Sequence, residues 1–599
     1  MSRVKRKVRT IIFIGLLCGF FPTLNTGLVF ANDSNPEPVF YISILTPNPG
    51  GPPPSVFVLT LAEDLPKIGI GVDLCIENWN FVINRTWGYP GPYPIPTYTE
   101  GGYDTFSIGW RWGLDWNPYD LYAEPTICGG GMNFYQYITD EINWALENYT
   151  RTIDYADRIF WGNKIQQIIY EDVPLLPVSQ SDEFILHDSN LTGLDGKLFR
   201  YAYQSMENWS IPTQTELHAS VGYFRDFFVF NAHQFTDLLW LNQIYNSLIK
   251  RDPKIGYFYA PDIATSFTTT DGLTYTVSIN PNAVWADGTP LNTSDVAFSF
   301  ELVAAISKNL NKDLSSKNIA YDYSINIIDE HTLEISFDNR YHFLPESNLD
   351  VYLIPKHIWK DVPINNLSQQ ALEWAKTDPT KLIGTGPFYL YEYNESPRVI
   401  HLKRNPFYAN WSGITPNFED IYFEYLPTLS TAKELAALKN GELDLIIDSV
   451  SVGGTNLSAL PATIGYTMID SDSVHEFAIN NMHPILGTGE VCPIAGPQSA
   501  KYVRKAINHA VNRELICKEL PGQFNDPAAT PCPKSSPVYN SSLKPAEYDL
   551  ELAKEYLRKA GYDIPLTIIS FGIGVSFPVF VSLLALIGGC VTVFRRKDR

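Results

Sequence analysis

Residue types that do chemistry are present in this chain, but not at the spacings that catalysis needs. Gly69-Ile70-Gly71, Gly384-Thr385-Gly386 and Gly572-Ile573-Gly574 each lack the third glycine of a dinucleotide-binding turn, and neither GxxxxGK[ST] nor HExxH occurs. A GxSxG nucleophile elbow is missing too. The ten histidines are scattered without ligand spacing, so no metal or cofactor is expected and the chain does not read as an enzyme. Of seven cysteines, Cys18 and Cys590 fall in terminal apolar runs, leaving Cys75, Cys128, Cys492, Cys517 and Cys532 without CxxC spacing. One or two disulfides and a spare thiol are expected, with Cys492 to Cys532 the pairing favoured, since both stand beside proline in loops flanking one helix. Acceptors for N-glycosylation stand at Asn84, Asn148, Asn190, Asn208, Asn292, Asn366, Asn394, Asn410, Asn456 and Asn540, a density that suits a cell-surface glycoprotein.

The elements that must position any site alternate between strand-like and helix-like patterns, which reads as α/β. Ser499 to Ile516 places Val503, Ile507, Ala510 and Leu515 on one helical face. Asn292 or Thr293 can cap a helix with Asp295 in its first turn, and Asp549 a helix that Gly561 ends. Leu273 to Val277 and Thr332 to Phe337 alternate as strands do. Asn48 to Pro54 and Tyr89 to Pro96 read as loops, and Asp188 to Thr213 as a connector.

With 599 residues and 45% apolar content, the chain should hold about three or four structural units. Charged residues are 18% and aromatics 14%, which disfavours disorder and coiled coil. A net charge of -21 argues against a nucleic-acid partner. Basic residues from Arg3 to Arg9 precede an apolar run and the small-residue site Val29-Phe30-Ala31, so residues 1–31 read as a secretory signal; Leu17 is too bulky for lipid attachment at Cys18. Phe571 to Phe594 reads as a single transmembrane helix of ~36 Å, with the basic residues 595–599 cytoplasmic and the body outside the cell.

Ile244-Tyr245-Asn246-Ser247-Leu248, Trp285-Ala286-Asp287-Gly288-Thr289-Pro290-Leu291, Asp295-Val296-Ala297-Phe298-Ser299, Gly384-Thr385-Gly386-Pro387-Phe388, Arg404-Asn405-Pro406-Phe407-Tyr408, Leu438 to Asp444 and Val503 to Asn508 follow one another in order. Together they resemble the oligopeptide/dipeptide-binding family (family 5) of extracytoplasmic solute-binding proteins of ABC importers. In that family the helix ending in Leu-x-x-Ala-Gly-Tyr, here Leu557 to Tyr562, leads into the rest of the C-terminal lobe, whereas here the membrane span follows. The missing part resembles the front of this chain: Tyr41 to Leu45 as strand, Leu61 to Ile70 as helix, Gly109 to Pro118 as ligand-facing loop, and Ile165 to Pro174 as closing helix and strand entry. A circular permutation is therefore expected. Residues 32–187 would complete the C-terminal lobe, 188–214 connect, 215–465 form the N-terminal lobe with its extra subdomain, and 466–570 begin the C-terminal lobe.

The resemblance implies a two-lobed, hinged periplasmic-binding-protein-like fold that closes around a solute and docks on importer permeases. It implies a peptide held as an added strand, with Asp115 pairing with its α-amino group; a turn-capping role is the alternative. Trp110, Trp112 and Trp116 surround Asp115 and could wall a pocket, stack on sugar or fill the core, and Tyr245 completes the candidate ligand set. An oligosaccharide binder, or a surface receptor without transport, is the alternative function, and a monomer is expected.

Overall fold

The computed structural model describes residues 36–565, except 48–55, 128–130, 195–202, 222–225, 232–238, 311–322, 338–348, 427–430, 448–455, 471 and 521–524. The expected signal over 1–31, the span over 571–594 and the tail over 595–599 lie outside the described residues, as does Cys128. Among those described, no helix is long and apolar enough to cross a membrane.

Phe40-Tyr41-Ile42-Ser43-Ile44-Leu45 is close to a continuous apolar run, as a strand covered on both faces requires, and it forms β1 (Phe40–Pro47). It pairs in parallel with β2 (Ile70–Glu77) and β3 (Thr105–Arg111). β3 then meets β18 (Ser473–Ile479) antiparallel, and β4 (Leu175–Ser181) with β19 (Asn525–Pro527) completes a sheet of order β19-β4-β18-β3-β1-β2. Chain segments from both ends of the described region thus share one sheet. On one face Phe40, Ile42 and Phe477 pack with α1 (Val56–Asp64), α5 (Pro497–Ala510) and α7 (Leu550–Lys559) through Val58, Leu61, Val503, Ile507, Ala553 and Leu557. On the other, Leu45 and Phe106 pack with α2 (Asp140–Arg151) and α3 (Tyr155–Asp172) through Leu146, Tyr149 and Ile165.

A second lobe is built on seven strands hydrogen-bonded in the order β13 (Phe388–Glu395), β14 (Arg398–Arg404), β15 (Asp420–Tyr425), β6 (Glu216–Val221), β16 (Leu445–Ile446), β5 (Glu183–Asp188) and β17 (Ile464–Ile469). Beside it stands a four-stranded antiparallel sheet of β9 (Ala264–Thr268), β10 (Thr274–Ile279), β11 (Tyr323–Ile327) and β12 (Thr332–Phe337), covered by α4 (Thr293–Leu310). The hairpin β7 (Ile249–Asp252) and β8 (Phe258–Pro261) shares the core of that sheet through Ile249 and Tyr259. Among the described residues the chain crosses between the six- and seven-stranded lobes twice, from β4 to β5 at Asp182 and from β17 to β18 between Ile469 and Ser473. The architecture is therefore α/β in two lobes.

Local expectations are adjusted in three places. The helix expected over Leu61 to Ile70 lies earlier, at α1, because Pro66 opens a short 3-10 turn and Gly69, at φ 87°, ends it before β2. The helix expected over Ser499 to Ile516 breaks after Ala510; Asn512 accepts from the Leu515 amide and starts α6 (Arg513–Glu519). β10 runs to Ile279, past the expected end at Val277. The Asp549 cap is present, accepting from the Glu551 and Leu552 amides, and Gly561 turns at φ 93°.

Several of the recurrent segments are joinery. Gly384 and Gly386 press against the Gln243–Ile244 backbone, where a Cβ on Gly384 would meet the Ile244 carbonyl oxygen at 2.0 Å. The Gly386 amide donates to Ile244 O at 2.8 Å, Ala286 N to Gly384 O at 3.0 Å, and Asn405 Nδ2 to Gly386 O at 2.8 Å. Arg504 and Arg513, both buried, spend their guanidinium groups on carbonyl oxygens: Asp172, Val173 and Leu486 for the first, Pro177 and Asn508 for the second. They pin the end of α3 and the start of β4 to α5.

Candidate functional site

The loop that leaves β3 carries Trp112 to Trp116 and is tied to one lobe crossing: Trp112 N donates to Asp472 O at 3.1 Å and Gly113 N to Asp472 Oδ2 at 3.2 Å. Arg111 sits over the same place, 3.1 Å from Glu183 and 3.9 Å from Asp472. At the other crossing Lys534 reaches Asp182 at 2.7 Å and Asp526 at 2.6 Å. Burial pushes the Asp182 carboxyl up, against the opposing pull of Lys534.

Asp115 is brought against the hairpin β7–β8. Its carboxylate pairs with the Arg251 guanidinium and accepts from the Tyr259 hydroxyl at 3.1 Å. The guanidinium lies 3.6 Å from the Tyr259 ring centroid, and its Nη1 donates to Tyr257 O at 3.1 Å. Close by, Tyr155 at the start of α3 donates to Tyr259 O at 2.6 Å and stacks on Phe258 with centroids 4.3 Å apart. One hairpin thus receives both the Asp115 loop and α3 of the six-stranded lobe.

Behind Arg251 lies a cavity of about 50 Å³, lined mainly by polar groups such as Glu207, Asn246, Lys250, Asp262 and Tyr352. Its volume suits a water or two and not a peptide. Asp262 holds Lys250 at 3.4 Å and raises its pKa, while burial raises that of Glu207. Tyr245, 3% exposed, lines this cavity.

The tryptophans divide. Trp116 is fully buried and packs in the core under the loop, as the core-filling alternative for these tryptophans has it. Trp110 and Trp112 are half-buried with ring centroids 6.3 Å apart. Trp110 Nε1 donates to Glu476 Oε1 at 3.2 Å, and the Tyr135 hydroxyl donates to the same oxygen. Burial pushes the Glu476 carboxyl up to about 7, although both bonds pull it down.

The expected disulfide is also corrected: Cys492 and Cys532 are both free thiols, packed in cores on opposite faces of the six-stranded sheet. Cys75 and Cys517 are free as well. Among the expected glycosylation acceptors, Asn84, Asn190, Asn208, Asn366, Asn394, Asn410 and Asn456 are exposed, while Asn148, Asn292 and Asn540 are half-buried. Sequence reasoning missed Arg251, Tyr259 and Glu476. Arg251 carries no local signal, since a basic residue before Asp252-Pro253 reads as part of an exposed turn.

The described residues thus form two α/β lobes joined by paired strand crossings. Residues 259–575 match the model described as bacterial extracellular solute-binding proteins, family 5 Middle, and the chain belongs to that family. A putative ABC transporter peptide-binding protein of Brucella ovis is 26% identical over 344 residues, 55% of this chain and 58% of that protein. The periplasmic oligopeptide-binding protein OppA of Escherichia coli is 24% identical over 342 residues, 52% of this chain and 56% of its own. The chain thus spans little more than half the length of these curated relatives. Among solved structures, the oligopeptide-binding protein AppA of Bacillus subtilis, in complex with a nonapeptide, is 20% identical with a TM-score of 0.37, covering 60% of this chain and 66% of that one.

Proposed function

We propose that this protein captures peptides between its two lobes and delivers them to an ABC importer, binding its solute without transforming it. The observation that carries this reading is the family match over residues 259–575, and the two strand crossings that join the lobes are consistent with a hinge. The peptide-binding names of its relatives support the ligand class. A monomer held to the cell membrane by residues 571–594, with 595–599 inside and a signal removed from 1–31, would keep both lobes outside and near the permeases.

The permuted order is part of the proposal. Two facts support it: β1, β3 and β4 share a sheet with β18 and β19, and α7, whose end carries Leu557 to Tyr562, packs in the same core as β1. Mass spectrometry of small molecules released from the purified full chain tests the ligand class. Peptides are expected, and an oligosaccharide would overturn the peptide reading. A flexible Gly/Ser insertion after Asp563 should change uptake in cells but not affinity; an equal change in affinity would make the tether part of the binding fold.

A further inference from the structure

We infer that residues 491–495 dip into a lipid bilayer at its headgroup level, so that the six-stranded lobe stands on the membrane as well as being tethered to it. The inference rests on the reading above that residues 571–594 span that bilayer. Val491-Cys492-Pro493-Ile494-Ala495 opens a stretch that carries no charge as far as Ala500, and all five but Cys492 are exposed, Val491 by 58% and Ile494 by 56%. Four exposed apolar residues in one loop differ from the scattered single ones of an ordinary surface. The loop is held in shape: Val491 N donates to Pro484 O at 3.3 Å, and the Cys492 and Gly496 amides both donate to Gly489 O, at 3.1 and 3.0 Å. Gly489 at φ 70° and Gly496 at φ 130° allow its bends. With its backbone already ordered, the loop gives up little freedom when its side chains meet lipid.

Where the chain leaves the fold decides what covers these side chains. Ile494 N donates to Ala560 O at 3.2 Å, the Tyr562 hydroxyl donates to Cys492 Sγ at 3.7 Å, and a Cβ on Gly561 would meet Ile494 Cγ1 at 2.7 Å. The loop therefore lies against the end of α7 and the residues that follow it. Ile564 is buried beside Gly69, so the chain is fixed as far as that residue. From Pro565 to Phe571 there are six steps, at most about 20 Å of extended chain. A span that starts there holds the bilayer surface within that reach of the chain's exit beside the loop, and so short a tether makes contact with lipid an intramolecular event. Apolar side chains gain from insertion at headgroup depth in proportion to the area they bury, so an uncharged loop fits the lipid itself and not its charge.

The test uses the full chain reconstituted in phosphatidylcholine vesicles that contain a nitroxide-labelled phosphatidylcholine, with one environment-sensitive fluorescent amino acid in place of Ile494 or, as the control, of Ile328. Ile328 is 53% exposed, in the turn between β11 and β12 beside the seven-stranded sheet. Quenching at position 494 is expected to exceed that at 328 by about threefold or more, and Val491→Asp should cut it by about half while leaving the melting point unchanged. Equal quenching at the two positions, or none at 494, would overturn the inference and leave the loop to a protein partner. A Val491→Asp variant quenched as strongly as the unaltered loop would overturn it too. Flotation of the same vesicles separates the two readings. Chain that floats but is not quenched at 494 keeps the span and refutes the lipid contact, whereas chain that stays behind refutes both.

Discussion

Replacing Glu476 with glutamine should change how stability depends on pH. The carboxyl is fully buried under Trp110 and Tyr135, and burial raises its pKa from 4.5 to about 7. Between those two values the unfolded chain releases this proton while the folded chain keeps it, so the unfolded state gains with every step up in pH. The stability is fully present below about 4.5 and lost as pH climbs through about 7. At about 1.4 kcal/mol per unit, the loss from this one group is roughly 3 kcal/mol by pH 8. The substituted amide would keep an acceptor for Tyr135 and Trp110 but could not ionise. Urea unfolding of both proteins from about pH 4.5 to 8 isolates the group, because every other carboxylate is common to the two. The unaltered chain should lose more stability than Glu476→Gln toward pH 8, by that amount. Parallel curves would mean that Glu476 titrates normally and that its burial has been misjudged.

Lys534→Met should leave Asp182 at the lobe crossing without its cation and cost about 1–3 kcal/mol in chemical denaturation, with little loss if the pair is merely a surface contact. Asn480 donates to the Ile95, Pro96 and Tyr103 carbonyl oxygens and accepts from Gln136 Nε2, so Asn480→Ala should cost roughly 3 kcal/mol by the same measurement. Gly384→Ala would set a methyl 2.0 Å from the Ile244 carbonyl oxygen; soluble, folded protein with an unchanged melting point would contradict the packing at that junction.

Fold class was legible because period-2 and period-3.6 patterns survive in the sequence: Thr332 to Phe337 is β12, and Asp549 opens α7 as its side chain dictates. Element ends were harder, since Ser499 to Ile516 keeps one apolar face through a break that only the Asn512 cap reveals. The site was legible in half. The loop after Gly109-Trp110 stands out by its indoles, yet Asp115's partner lies on a hairpin far along the chain, and nothing local marks Arg251 as buried. The pairing of the two cysteines failed because composition gives a side chain's chemistry but not the face of the sheet it occupies.

The pairing of β3 with β18 joins Thr105–Arg111 to Ser473–Ile479 and has a consequence for biosynthesis. During translation β1 to β3 emerge hundreds of residues before the strand that closes over them, with the whole seven-stranded lobe made in between. Loop closure over such a distance is slow, and until it happens the edge of β3 offers unpaired amide and carbonyl groups to any passing strand. The strand edge of β3 therefore stays unpaired until Ser473–Ile479 has been made, the kind of exposure that slows folding of large domains.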